Sequence, residues 1–201
     1  MLYPLQYPLT LTFKLVALAP QIFVRDNAGR EILYVKQKLL KLKEKVTVFA
    51  DSSQAQAIYE INADRILDWS ARYTFTDSQG RVLGSVGRQG MRSLWKATYI
   101  VADSTGRDIF RIQEANPWIK VLDSLLGEIP LIGAFTGYFL NPKYEVARTG
   151  TEQTVLGITK HRAFLESRFE ISDLGGAPDQ AETEAVLLSI LMMVLLERSR
   201  G

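Results

Sequence analysis

Leu165, Ser167, Phe169 and Ile171 alternate with Phe164, Glu166, Arg168 and Glu170, the two-residue period of a strand with one buried face. Trp69, Ala71, Tyr73 and Phe75 alternate in the same way with Ser70, Arg72, Thr74 and Thr76. Similar runs predict strands at about 21–25, 31–37, 46–50, 57–62, 82–88, 94–102, 108–113, 143–148 and 154–160. Between several of them stands one turn used three times: Asp26-Asn27-Ala28-Gly29-Arg30, Asp77-Ser78-Gln79-Gly80-Arg81 and Asp103-Ser104-Thr105-Gly106-Arg107. An aspartate that can bond the backbone two residues on, followed by a glycine where φ must be positive, is the chemistry of a tight hairpin turn. The strands around the repeated turn are otherwise unlike, so the repetition does not mark a solenoid. Hairpins spaced by about ten residues predict an antiparallel sandwich or barrel.

Two segments break the strand pattern. Asn116-Pro117 opens a short helix that Gly127 stops, after which Ile129 to Leu140 runs without a charge through Pro130, Gly133 and Gly137. The second break is Ala185 to Leu196, twelve residues apolar but for Ser189. Asp179 and Glu182 form a capping box ahead of it, with acids where the helix dipole favours them.

That terminal helix belongs inside the protein. Twelve residues at about 1.5 Å each reach about 18 Å, against about 30 Å of bilayer hydrocarbon. Spanning a membrane would also draw Glu184 and Glu197 into lipid, at about 2.5–3.5 kcal/mol for a charged side chain at the bilayer centre. A surface position fails too, because the run is apolar around its whole circumference. Strands can surround a helix about 10 Å across only if their sheet closes, and closure at eleven or twelve strands leaves that interior. The fold predicted is therefore mainly β: a closed antiparallel barrel of about twelve strands enclosing a hydrophobic C-terminal helix, with residues 1–201 as one domain.

Composition changes this picture little. Hydrophobic residues make up 47% of the 201, and the formal net charge is +2. The charge is uneven: residues 1–50 hold eight Lys or Arg against three acids, the remainder sixteen against nineteen. Much of the excess lies in Lys36, Lys38, Lys41, Lys43 and Lys45, too small a cluster to predict nucleic-acid binding. The absence of cysteine excludes disulfides, thiol catalysis and cysteine-ligated metal, and fits a cytoplasmic protein. Leu15-Val16-Ala17-Leu18-Ala19 has the outline of a signal peptide, but Lys14 and Pro20 argue for a first or second strand.

A lysine-rich hairpin from Tyr34-Val35-Lys36-Gln37-Lys38 through Val46-Thr47-Val48-Phe49, many short hairpins, a central Asn116-Pro117-Trp118 and a last helix opening with Glu184-Ala185-Val186-Leu187-Leu188 resemble the Tubby C-terminal-like group. Within that group the chain resembles the LURP-one-related and phospholipid-scramblase-like proteins, from about residue 20 to 198. The resemblance implies a twelve-stranded barrel around a hydrophobic helix, which agrees with the derivation from the parts. It also implies a non-enzymatic, cytoplasmic domain that associates peripherally with anionic phospholipid or a membrane surface, or else a scaffold for a protein partner. No cofactor is expected.

Candidate sites each have a plain structural account beside the functional one. Lys36, Lys38, Lys41, Lys43 and Lys45 could hold anionic headgroups, at about 1 kcal/mol per residue near a charged surface; a solvated hairpin is the plainer account, since alternation turns some of them apart and Glu44 dilutes the run. Ile129, Leu131, Ile132, Phe135, Tyr138 and Phe139 could form an apolar flap or pocket wall, or else plug one mouth of the barrel. A calcium site, which the scramblase resemblance implies, would draw on Asp173, Asp179, Glu182 and Glu184, but they lack the ligand spacing of a calcium loop. Gly84, Gly87 and Gly90 are not a dinucleotide fingerprint and are expected to mark bulges or bends. His161 is the only histidine, expected on a strand and partly buried. The remaining function class, an enzyme with an unrecognised pocket, has no residue pair whose spacing recommends it.

Overall fold

In the computed structural model the strands follow one another around a ring, and the last closes on the first. The structure describes residues 4–14, 20–36, 45–64, 71–89, 98–115, 143–162, 166–176 and 178–198. Its elements are β1 (Leu9–Lys14), β2 (Gln21–Arg25), β3 (Glu31–Lys36), β4 (Lys45–Phe49), β5 (Ala57–Ala63), β6 (Arg72–Asp77), β7 (Val82–Arg88), β8 (Thr98–Asp103), β9 (Asp108–Glu114), β10 (Lys143–Arg148), β11 (Thr154–Arg162), β12 (Glu166–Asp173) and α1 (Gln180–Arg198). Each strand pairs antiparallel with its sequence neighbours, and β1 pairs with β12 through Leu9↔Ile171 to Lys14↔Glu166. The predicted closed barrel of twelve strands is thus the observed one. Among the described residues the pairing of β3 with β4 is the slightest, registered at Tyr34↔Phe49.

The interior is filled by α1. Eleven consecutive residues, Ala185 to Leu195, are buried on every side of the helix. Ser189, the polar exception, returns its hydroxyl to the Ala185 carbonyl at 2.7 Å, so no polar group is stranded in the apolar run. The inward positions of the strands complete the core: Leu11 and Phe13 on β1, Val46 and Val48 on β4, Tyr73 and Phe75 on β6, Phe169 and Ile171 on β12. The outward partners on β12 are Glu166, Arg168 and Glu170, as the alternation predicts.

Up-and-down connectivity gives the barrel two chemically different mouths. At the entry mouth, where α1 begins, lie the three repeated turns, joining β2–β3, β6–β7 and β8–β9. In each, the aspartate carboxylate accepts two backbone amides, as for Asp26 from Ala28 at 3.0 Å and Arg30 at 2.9 Å. Each glycine sits at positive φ: +79° at Gly29, +78° at Gly80, +85° at Gly106. The arginine four residues on then folds back, its Nε donating to Asp26 at 2.7 Å, Asp77 at 2.6 Å and Asp103 at 3.2 Å. The capping box forms reciprocally, Glu182 N donating to Asp179 Oδ1 at 2.9 Å and Asp179 N to Glu182 Oε2 at 3.3 Å.

Gly84 shows why a glycine is needed where the helix enters. The ladder of β6 with β7 slips a residue there, Phe75 facing Gly84 and Thr76 facing Val82. A Cβ at Gly84 would stand 2.5 Å from the Ala102 carbonyl oxygen and 3.1 Å from the Cβ of Ala185. The bulge and the close approach of α1 explain this glycine together. Gly87, by contrast, has room for a methyl group, and Gly90 lies outside the described residues.

Two expectations need correction or limits. His161 is on β11 as expected but is exposed rather than partly buried, its Nε2 3.9 Å from Glu170. The strand's inward parity runs through Ile158, which turns His161 to solvent. The first strand, β1, precedes the segment Leu15 to Ala19, and that segment lies outside the described residues. So do Trp69 and the whole stretch 116–142, on which the expected short helix and the uncharged run fall.

Candidate functional site

Strand register on the outer wall decides which of the basic residues can act together. Lys14 faces Gln21 across β1–β2, and Gln21 faces Lys36 across β2–β3. Neighbouring strands lie about 4.8 Å apart, so Lys14 and Lys36 stand about 10 Å from one another on one lateral row. Their strand neighbours Phe13 and Val35 point inward, which turns both lysines outward. Lys45 opens β4 on the same rim, outward because Val46 is inward. All three stand at the far mouth, opposite the entry of α1.

The row has acids at its flanks. Lys14 lies 3.9 Å from Glu166 and Lys45 lies 2.7 Å from Glu60. Lys36 is exposed and forms no ion pair among the described residues. The predicted run is thereby divided: Lys36 and Lys45 are placed on the rim, while Lys38, Lys41 and Lys43 lie outside the described residues. Lys14 joins the rim from the sequence's far side. Its outward parity could be read from Leu11 and Phe13, but its distance from Lys36 needs the β1–β2–β3 register.

One row further from the rim, the wall is aromatic. Phe23 and Tyr34 pack with ring centroids 4.9 Å apart at 57°. The Lys14 ammonium stands 5.4 Å from the Phe23 centroid and the Arg25 guanidinium 4.9 Å, two cations at one ring. Tyr34, outward by alternation, is nevertheless buried, and burial, followed by the charge of Glu31, raises its phenol above the ordinary value. Phe49 faces Tyr34 from β4. A patch of cations over aromatic rings can meet an anionic surface with its charges and bury ring area beneath them.

Three of the four residues considered for calcium, Asp173, Asp179 and Glu182, have other tasks. Asp179 and Glu182 cap α1, and Arg148 holds Glu182 with two hydrogen bonds, 2.8 and 2.9 Å. Those bonds hold the Glu182 carboxyl below the usual carboxylate range. Asp173 caps its own turn, accepting Gly175 N at 2.9 Å. Among the described residues no three acidic or histidine side chains converge on a point that could hold a metal ion. Ile129, Leu131, Ile132, Phe135, Tyr138 and Phe139 lie outside the described residues; the strand ends that flank their connection, Glu114 and Lys143, are at the far mouth with the lysine rim. There Tyr99 donates to Glu197 at 2.8 Å, tying the last turn of α1 to the wall. Among the described residues no helix is long and apolar enough to cross a membrane.

A twelve-stranded antiparallel barrel wrapped on its own C-terminal helix defines the class structurally. The LURP-one-related family matches residues 31–178, and the chain belongs to that family. Among solved structures, the X-ray structure of a protein from Arabidopsis thaliana aligns with 94% of this chain and 91% of its own, at a TM-score of 0.49 and 14% sequence identity. No curated protein matches.

Proposed function

We propose that this LURP-one-related barrel is a non-enzymatic domain that associates peripherally with anionic phospholipid surfaces through the outer wall of β1–β4. The observation that supports the reading is the lateral row Lys14–Gln21–Lys36, with Lys45 beside it, set over Phe23 and Tyr34. Each lysine near a charged leaflet contributes about 1 kcal/mol, so three give about 3 kcal/mol, a factor of about 150 in partition. Glu166 and Glu60 reduce that figure where they hold Lys14 and Lys45, which leaves Lys36 as the strongest single contributor.

Sedimentation with vesicles containing phosphatidylserine tests the proposal. The protein is expected to pellet at low salt and to be released as the Debye length shrinks from about 30 Å at 0.01 M to about 3 Å at 1 M. Lys14→Glu with Lys36→Glu should abolish retention while leaving the melting temperature within a few degrees, since both side chains are surface groups. No retention at any salt, or retention indifferent to the double substitution, refutes it. A protein partner captured by a chain that ignores vesicles would favour the scaffold reading instead.

A further inference from the structure

Two glutamates stand one on each side of the first turns of α1, and the barrel treats them differently. Glu182 is met by the Arg148 guanidinium in a two-pronged bond. Glu184 turns toward β5–β7, and among the described residues no ion pair reaches it. Between Glu184 and the wall lies a cleft of about 570 Å³ at the entry mouth, within the size range of small-molecule sites. A second lobe of about 260 Å³ adjoins it over Tyr59 and Gly80.

Tyr59, on β5, lines both lobes. Its side chain is 3% exposed, and its hydroxyl is buried. Burial first, then the charge of the Glu184 carboxylate and a hydrogen bond to it, raises the phenol's pKa, so Tyr59 keeps its proton facing Glu184. Asp77 also lines the cleft, but its carboxylate is filled by its own turn, with Arg81 Nε at 2.6 Å and two backbone amides. Arg81 is thereby committed to Asp77. Ile58, Val82 and Leu83 supply an apolar side to the same cleft, and Val82 is 47% exposed, unusually so for the described core-type residues. Among the described residues the Glu184 carboxylate thus has the Tyr59 hydroxyl beside it but no cation.

We propose that this cleft binds an organic cation carried on a short apolar stem, an alkylguanidinium or alkylammonium, as in a free polyamine-like amine or the side chain of a basic peptide. The cation would do for Glu184 what Arg148 does for Glu182. Its N–H groups donate to the Glu184 carboxylate, which the buried Tyr59 hydroxyl positions, and the stem lies along Ile58, Val82 and Leu83. The site is at the opposite mouth from the lysine rim and is independent of lipid association.

Two probes separate the sources: agmatine as the free amine, and the blocked tripeptide acetyl-Ala-Arg-Ala-amide as the side chain in a peptide. Binding is read from amide chemical shifts of the full chain, with Gln180 to Glu184 and Ile58 to Glu60 expected to move. Saturation by agmatine points to a free amine, and tighter binding of the tripeptide points to a peptide; either supports the cation site. Glu184→Gln should weaken the better probe at least tenfold, and Tyr59→Phe by about threefold to tenfold, with Arg148→Gln as a control that leaves it unchanged. Thermal melts establish that the variants are folded, and the wild-type shift map stands without them. The proposal is overturned if neither probe shifts those amides at 20 mM, or if Glu184→Gln binds as the wild type does.

Discussion

Replacing Gly84 by alanine tests the account of how the helix enters the barrel. The new methyl carbon would stand 2.5 Å from the Ala102 carbonyl oxygen, closer than real Cβ contacts come, and 3.1 Å from the Cβ of Ala185. The first of these atoms is backbone of the neighbouring strand β8 and cannot swing aside. Gly84 also has φ of +157°, a conformation that costs a residue with a side chain about 1–3 kcal/mol. Overpacking of a filled core adds about 1–3 kcal/mol. The sum, about 2–6 kcal/mol, corresponds to a fall in melting temperature of roughly 5–20 °C for a chain of this length. Gly87→Ala on the same strand is the control: its nearest new neighbour is the Arg72 side chain at 3.8 Å, an ordinary contact, and it should change stability by no more than about 0.5 kcal/mol. Ala185→Gly added to Gly84→Ala should not rescue, because it removes the 3.1 Å contact and leaves the carbonyl, while glycine in a helix costs about 1 kcal/mol. Paired urea and thermal melts of the three variants read the difference. If Gly84→Ala matched Gly87→Ala, the close approach of α1 to β7 would be wrong.

Two further outcomes follow from particular groups. Hydrogen bonds from the Thr105 hydroxyl, then from the Arg107 and Thr105 amides, and the charge of Arg107 outweigh burial and bring the Asp103 carboxyl down to about 2. Because the folded value lies below the unfolded one, the stabilisation is present in full above about pH 4 and is lost as pH falls toward 2; a carboxyl-carbon NMR titration should show a midpoint near 2, and Thr105→Ala should raise it, whereas an unchanged midpoint would remove the hydroxyl from the account. Ending the chain after Asp179 removes α1 and leaves the inward side chains of the barrel without their filling; the product should be insoluble, or soluble without a cooperative melt, and a folded soluble barrel of strands alone would refute the core assignment.

Local pattern carried most of the fold. Alternation on β6 and β12 named the inward residues, and all-round apolarity from Ala185 to Leu196 named the helix that they surround. The repeated aspartate–glycine turns were readable because each is closed within five residues by its own atoms. The arginine at the fifth place was equally present three times, and its return to the aspartate is a signal that alternation and turn chemistry alone passed over. His161 shows the limit from the other side: a lone residue has no period, so its exposure followed only from the parity of the strand that holds it.

The lysines began as a run along the chain, and the sequence alone established that they are many, close together and uncoupled from any metal or nucleophile pattern. Which of them share a surface was a matter of register. A side chain's face follows from its own strand, but its lateral neighbours follow from how adjacent strands slide against one another, and that offset is set by bulges, turns and the fit of α1 in the closed ring. So Lys14 stands on a row with Lys36, twenty-two residues away, while Lys45 is claimed by Glu60. The same holds for the entry-mouth cleft: Tyr59 and Glu184 are distant in sequence, and only closure of the barrel on its helix puts the buried hydroxyl beside that carboxylate.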